Sequence, residues 1–164
     1  MQKKILIITC IILFISGCKK DESGSTNTKA ANFTSSAWSY SSPYFYINLD
    51  VPEITSSNHD ASIAMVYFST GNGTWNALPY TQYNSPYNYY MGFSSSVGKV
   101  QVTWFYDTST SKGEDPNTYY STNIKFKVVV IPASSKNKSK NNEFKNYQEV
   151  KYKYDIIDLP DRII

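Results

Sequence analysis

From Lys99 to Asp107 the side chains alternate, with Val100, Val102, Trp104 and Tyr106 in one set and Lys99, Gln101, Thr103, Phe105 and Asp107 in the other. A period of two matches the pleat of a β-strand, where successive side chains point to opposite faces, and not the helical repeat of about 3.6 residues. It also sets the register, because a slip by one residue would drive Lys99 and Asp107 into the core.

The same period recurs along the chain. Phe45, Ile47, Leu49 and Val51 alternate with Tyr44, Tyr46, Asn48 and Asp50, predicting a strand with one dry face and one wet or aromatic face, stopped by Pro52. Residues 62–70 (SIAMVYFST) are β-branched and aromatic on both faces and suit a central strand. Gly71-Asn72-Gly73 offers a tight turn into a return strand over 74–78, which Pro79 ends. A strand over 87–94, a turn at 95–98 and the Lys99–Asp107 strand follow. Residues 108–121 read as a loop. The strand over 122–131 places Ile124, Phe126, Val128 and Val130 inward, with Lys125 and Lys127 outward. Six or seven short strands predict an all-β fold, an antiparallel β-sandwich that is immunoglobulin-like or fibronectin-like in outline, with a small barrel as the alternative. In the segment 146–154, Asn146 with Glu149 three places on resembles a helix start, and Tyr147, Val150 and Tyr154 share a helical face. Val150, Tyr152 and Tyr154 also alternate as in a strand, but a short C-terminal helix packed on the sandwich is the favoured reading.

The first residues have another character. Lys3 and Lys4, an apolar run from Ile5 to Ile15 and then small residues have the layout of an export signal. The run is too short for a permanent transmembrane helix, since its eleven residues span roughly 16 Å against a hydrocarbon core of about 30 Å. Ile15-Ser16-Gly17-Cys18 resembles the lipobox of bacterial lipoproteins, which implies that residues 1–17 are a signal peptide and that Cys18 is acylated. Lys19-Lys20-Asp21-Glu22 resembles the charged export signal of surface lipoproteins of Bacteroidota, implying an outer-membrane protein displayed at the cell surface. Small polar residues after it make 18–32 a lipidated cysteine and flexible tether, with a root-mean-square span of about 20 Å. A β-sandwich domain over 33–132, a polar linker over 133–145 and a helix and tail over 146–164 complete the expected organisation.

Four further stretches extend the likeness. Residues 74–81 (TWNALPYT), the 96–100 turn (SVGKV), the 126–132 strand (FKVVVIP) and 147–151 (YQEVK) resemble small lipoproteins of Bacteroidota that carry a single β-domain. That resemblance covers most of residues 38–155, and the segment from Asp155 to Ile164 departs from it. It implies a lipid-anchored β-domain with a short C-terminal element and brings no activity or catalytic residue.

Charge and cysteine content narrow the chemistry. The formal charge of +3 (16 basic, 13 acidic) becomes 14 against 13, or +1, once Lys3 and Lys4 leave with the signal. A near-neutral chain has no general electrostatic attraction for nucleic acid. The basic stretch Lys136-Asn137-Lys138-Ser139-Lys140 reads as a solvated loop. Cys10 lies in the leader and Cys18 carries lipid, so neither a disulfide within the chain nor a thiolate metal site is expected. Stability must therefore come from the core. His59, the only histidine, lies in the polar stretch Ser57-Asn58-His59-Asp60 with no nucleophile motif beside it. Asp50, Glu53, Asp60, Asp107, Glu114 and Asp115 sit at strand ends and in loops, where acids are ordinarily solvated, and their spacing matches no EF-hand. No cofactor, metal or catalytic residue is expected.

One compositional feature points to function. Tyrosine occurs 15 times, and five of the eleven residues from Tyr80 to Tyr90 are tyrosine among Thr, Gln, Asn, Ser and Pro. Rigid rings give large contact area at small entropic cost and stack on sugar faces, while amides and hydroxyls bond the sugar. Tyr80, Tyr83, Tyr87, Tyr89 and Tyr90 are thus candidate ligand-binding residues of a non-catalytic surface binding or adhesion module, with a glycan or a protein as ligand and lipid as the other partner. A structural or assembly lipoprotein is the alternative, and a hydrolase ranks third.

Overall fold

A computed structural model describes residues 28–35, 37–83, 88–106, 115–119, 124–132 and 145–164. In chain order the elements are β1 (Lys29–Thr34), β2 (Ser39–Ser41), β3 (Tyr44–Asp50), β4 (Ile63–Ser69), β5 (Asn76–Ala77), β6 (Tyr80–Tyr83), β7 (Asn88–Ser96), β8 (Lys99–Tyr106), α1 (Pro116–Tyr119), β9 (Lys125–Ile131), α2 (Tyr147–Tyr154) and β10 (Ile157–Ile163). The strands form two five-stranded sheets, ordered β10-β1-β9-β4-β5 and β2-β3-β8-β7-β6. All pairs are antiparallel except β1 with β10, which is parallel. The fold is an all-β sandwich with a short C-terminal helix.

The alternation does what the sequence predicts. Phe45, Ile47, Leu49, Val51, Val100, Val102 and Trp104 face Phe33, Val66, Phe68, Phe126, Val128 and Val130 across the space between the sheets. Trp38 closes this core edge-on against Trp104 and Phe126, at ring distances of 5.7 and 5.9 Å. The β7–β8 hairpin turns on Val97 and Gly98, and Gly98 adopts φ +76°, a conformation that side chains disfavour.

A second core explains why β4 and β9 are apolar on both faces. Ala30, Met65, Tyr67, Val129 and Ile131 on the outer face of the first sheet lie under Tyr147, Val150, Tyr154 and Ile156. The helix that supplies this cover has clear stop signals. Asn146 accepts a hydrogen bond from the Gln148 N–H at 2.9 Å, and Asp155 ends the helix in the left-handed region with its N–H on the Lys151 carbonyl. Tyr152 is 92% exposed, so the helical face of Tyr147, Val150 and Tyr154 is the buried one.

Several expectations are corrected. Residues 29–32, read as the end of the tether, belong to β1, where Ala30 and Ala31 are buried on opposite faces; alanine packs when its backbone is bonded between two strands. The segment after Asp155 is not a loose tail but β10, whose Pro160 fits because the strand lies at a sheet edge. The sandwich therefore reaches beyond 33–132 at both ends. Lys127 points outward from the main core, as alternation requires, but it is only 5% exposed because α2 and β10 lie over it. The return strand shrinks to Asn76–Ala77, while β2 and β6, with little alternation of their own, form as short edge strands. The loop expected at 108–121 contains α1.

Candidate functional site

The outer face of the second sheet is built by the residues that alternation turns away from the core. Register aligns them in rows: Asp50, Lys99 and Ser96; then Asn48, Gln101 and Ser94; then Tyr46, Thr103 and Gly92; then Phe105, Tyr90 and Thr81, with Tyr44 next along β3. The face thus grades from charge through amides and hydroxyls to aromatic rings. In the amide row Gln101 Nε2 donates to Asn48 Oδ1 at 3.1 Å. In the aromatic rows Tyr90 and Phe105 are 4.8 Å apart with planes inclined by 39°, and Tyr44 and Tyr46 meet edge-on at 6.4 Å. Phe105 is 40% exposed, and Tyr44, Tyr46 and Tyr90 are half-buried.

Gly92 sets the posture of Tyr90. A Cβ at residue 92 would lie 2.9 Å from Tyr90 Cε1 and 3.5 Å from both the Tyr90 hydroxyl and Thr103 Oγ1. The Tyr90 ring therefore lies along the sheet over a backbone without a side chain, an aromatic lid on a strand glycine.

The tyrosine-rich segment does not form the single exposed patch expected of it. Tyr80 faces inward, edge-on to Phe68 at 4.9 Å, with its hydroxyl donating to Gln82. Tyr89 is 4% exposed and stacked on Trp104 at 4.4 Å, so it is a core residue. Tyr83 is 78% exposed at the β6 edge, Tyr90 belongs to the outer face, and Tyr87 lies outside the described residues. Tyr44, Tyr46 and Phe105 are the site residues that counting tyrosines misses, although the aromatic alternate face of β3 was legible.

The remaining candidates have structural surroundings. His59 Nδ1 pairs with Asp60 at 2.9 Å and Nε2 lies 3.3 Å from the Ser95 carbonyl; the Asp60 contact first, then Ser95, raises its pKa. Glu53 is held by Arg162 at 2.5 Å; burial opposes its ionisation, and the Arg162 hydrogen bond and charge outweigh burial, lowering its pKa. Asp115 accepts from the Asn117 N–H at 2.9 Å, and Asn117 in turn accepts from the Trp38 N–H at 2.8 Å. Asp107, Glu114, Lys136, Lys138, Lys140 and Cys18 lie outside the described residues. Among the described residues no group of three metal-ligating side chains occurs. A cleft of about 500 Å³ opens between β4, β5 and β7, lined by Met65, Val66, Leu78, Tyr80, Phe93 and Lys145 among others; among the described residues, neither His59 nor Asp50, Glu53, Asp60 or Asp115 lines it.

A polar cluster lies beneath α2. Asp158 accepts from Lys127 and from Tyr147 through Oδ1 and from Lys151 through Oδ2, each at 2.5 Å. Burial pushes its carboxyl up, but the three hydrogen bonds prevail and bring its pKa down to about 2. Burial, and then the bond to Asp158, raises the Tyr147 phenol. Lys127 also touches Asn32 Oδ1 at 2.6 Å and lies over the rings of Tyr147 and Trp75 at 4.4 and 4.9 Å.

No protein-family model, curated protein or solved structure matches the chain.

Proposed function

We propose that this protein is a non-catalytic glycan-binding module held at the bacterial envelope by an acylated Cys18, with the outer face of the second sheet as its binding surface. The observation that carries this reading is the Tyr90 ring packed over Gly92, beside Phe105 and two rows along the same face from the Asn48–Gln101 amides. Flat rings stack on the apolar faces of pyranose rings, and neutral amides and hydroxyls exchange hydrogen bonds with sugar hydroxyls. The face has few charges at its aromatic end, which suits an uncharged polysaccharide better than nucleic acid. The likeness of Ile15-Ser16-Gly17-Cys18 to a lipobox supports the anchor, and the Lys19–Glu22 charges support outer-membrane surface display. We read the sandwich as immunoglobulin-like or fibronectin-like in outline, supported by its two packed, mainly antiparallel sheets.

Affinity electrophoresis and calorimetry against a panel of neutral polysaccharides test the reading. Phe105→Ala and Tyr90→Ala should each weaken binding at least ten-fold, about 1.4 kcal/mol, whereas Tyr83→Ala at the edge should leave it within about two-fold. Equal binding by all four proteins, or binding by none, would reject the face. A role in assembly is the second reading, favoured by Ile157 and Ile163 exposed on the edge strand β10.

A further inference from the structure

The cluster beneath α2 contains the three groups needed to make an amide between side chains: a buried amine, a carboxamide against it, and a carboxyl in contact with the amine. We propose that Lys127 and Asn32 become joined by an intramolecular isopeptide bond, with Asp158 as the proton shuttle. Lys127 and Asn32 are direct partners in the antiparallel β1–β9 ladder, and their side chains share the face under the helix. Lys127 Nζ is 2.6 Å from Asn32 Oδ1 and 2.5 Å from Asp158 Oδ1. The β1–β10 register shifts between Ala30 and Asn32, so three residues of β10 span two of β1; there the Leu159 carbonyl accepts from Asn32 Nδ2 at 2.6 Å. That bond fixes which way the carboxamide faces, with its carbonyl toward the amine. Trp75 and Tyr147 wall the amine and limit the approach of water.

The step balances without any outside reactant. Lys127 passes a proton to Asp158, and the freed Nζ lone pair attacks Asn32 Cγ. The Asp158 carboxyl donates to Oδ1 as charge develops there. Collapse breaks the Cγ–Nδ2 bond, Asp158 supplies the proton that lets Nδ2 leave, and the shuttle recovers a proton from Nζ. One C–N bond forms, one C–N bond breaks, ammonia departs, and nothing is oxidised or reduced. The ion pair with Asp158, and the Lys151 and Tyr147 bonds to the same carboxylate, favour the charged starting pair. Each molecule needs only one turnover, however, and the hydrogen bond already holds the amine beside the carboxamide, which removes the entropic cost of bringing the two together. Loss of ammonia then makes the product permanent.

The product would close a loop between residues 95 positions apart in the chain, enclosing β2 to β8 and welding the first strand to the centre of its sheet. This inference is independent of the glycan reading. Peptide mapping of the full chain by mass spectrometry under denaturing, reducing conditions tests it. The peptides containing Asn32 and Lys127 should appear as one branched species, lighter than their sum by one ammonia. Recovery of both as separate linear peptides with Asn32 intact would overturn the proposal, as would a branch lighter by one water that joins Lys127 to Asp158. In Asp158→Ala the branched fraction should fall at least ten-fold, and an unchanged fraction would overturn the shuttle. Lys127→Arg should give only linear peptides, which identifies the attacking nitrogen even if that variant is less stable.

Discussion

Gly92 is the position where one atom separates folding from the proposed binding. Alanine there should gain about 0.5–1 kcal/mol from reduced backbone freedom, while displacing the Tyr90 ring from its rotamer should cost about 0.5–1.5 kcal/mol. The two nearly cancel, so Gly92→Ala should unfold within about 1 kcal/mol of wild type yet bind polysaccharide several-fold more weakly, because the ring is displaced from its seat over residue 92. Denaturant titration and calorimetry on the same preparation check both halves; unchanged affinity with a displaced ring would show that Tyr90 does not stack on the ligand. At this scale the sequence predicts direction well and environment poorly. The alternation of β9 correctly turns Lys127 away from the main core, but whether that second face meets water depends on α2 and β10, which arrive some twenty to thirty residues later. The same limit applies to Tyr89 and Tyr90: adjacent tyrosines in one strand must face opposite ways, so a count of rings in a segment could not have yielded a patch.

Among the elements, those with a strong period were readable and those held by neighbours were not. Strands β3, β4, β7, β8 and β9 carry their apolar pattern within themselves, and α2 announces itself through Asn146, Glu149 and the Tyr147–Val150–Tyr154 spacing. Strands β1 and β10 have no such signature. Ala30 and Ala31 look like linker, and Asp158, Pro160 and Asp161 look like a tail, until β10 is paired with β1 and β1 with β9. Asp158 joins α2 to this edge, and its depressed pKa fixes the pH dependence. A carboxyl whose folded pKa lies below its unfolded value of about 3.9 contributes stability that is complete above that value and is lost as pH falls through about 2. While Lys127 keeps its free amine, docking of α2 should therefore loosen between about pH 4 and pH 2, seen as faster amide exchange across 147–163 before the β3–β8 amides exchange. Asp158→Asn should remove most of this acid dependence, and an unchanged profile in that variant would place the acid-sensitive group elsewhere.

For the molecule as a whole, the two ends of the described chain complete one sheet, so the domain folds as a unit that the interior alone cannot specify. The first sheet needs β10 to cover the outer edge of β1, and the second core needs Ile156 with the three helix residues above Ala30 and Met65. Arg162 adds a tie from β10 to the far end of the β3 strand, donating to the Asp50 carbonyl at 2.9 Å and to Glu53. Ending the chain after Asp155 removes all of these together with Asp158 and the strand that helps to cover Lys127. Losing an edge strand, the Ile156 part of the second core and the Asp158 and Arg162 ties together removes a large part of the roughly 5–15 kcal/mol that stabilises a typical domain. The shortened chain should lose its cooperative thermal transition or melt at least 15 °C lower, since about 1 kcal/mol shifts the midpoint of a domain of this size by roughly 4 °C. The bared β1 edge should also make it self-associate on size-exclusion chromatography. A monomeric truncation that keeps the wild-type midpoint would mean that β10 is an ornament on a sandwich complete without it.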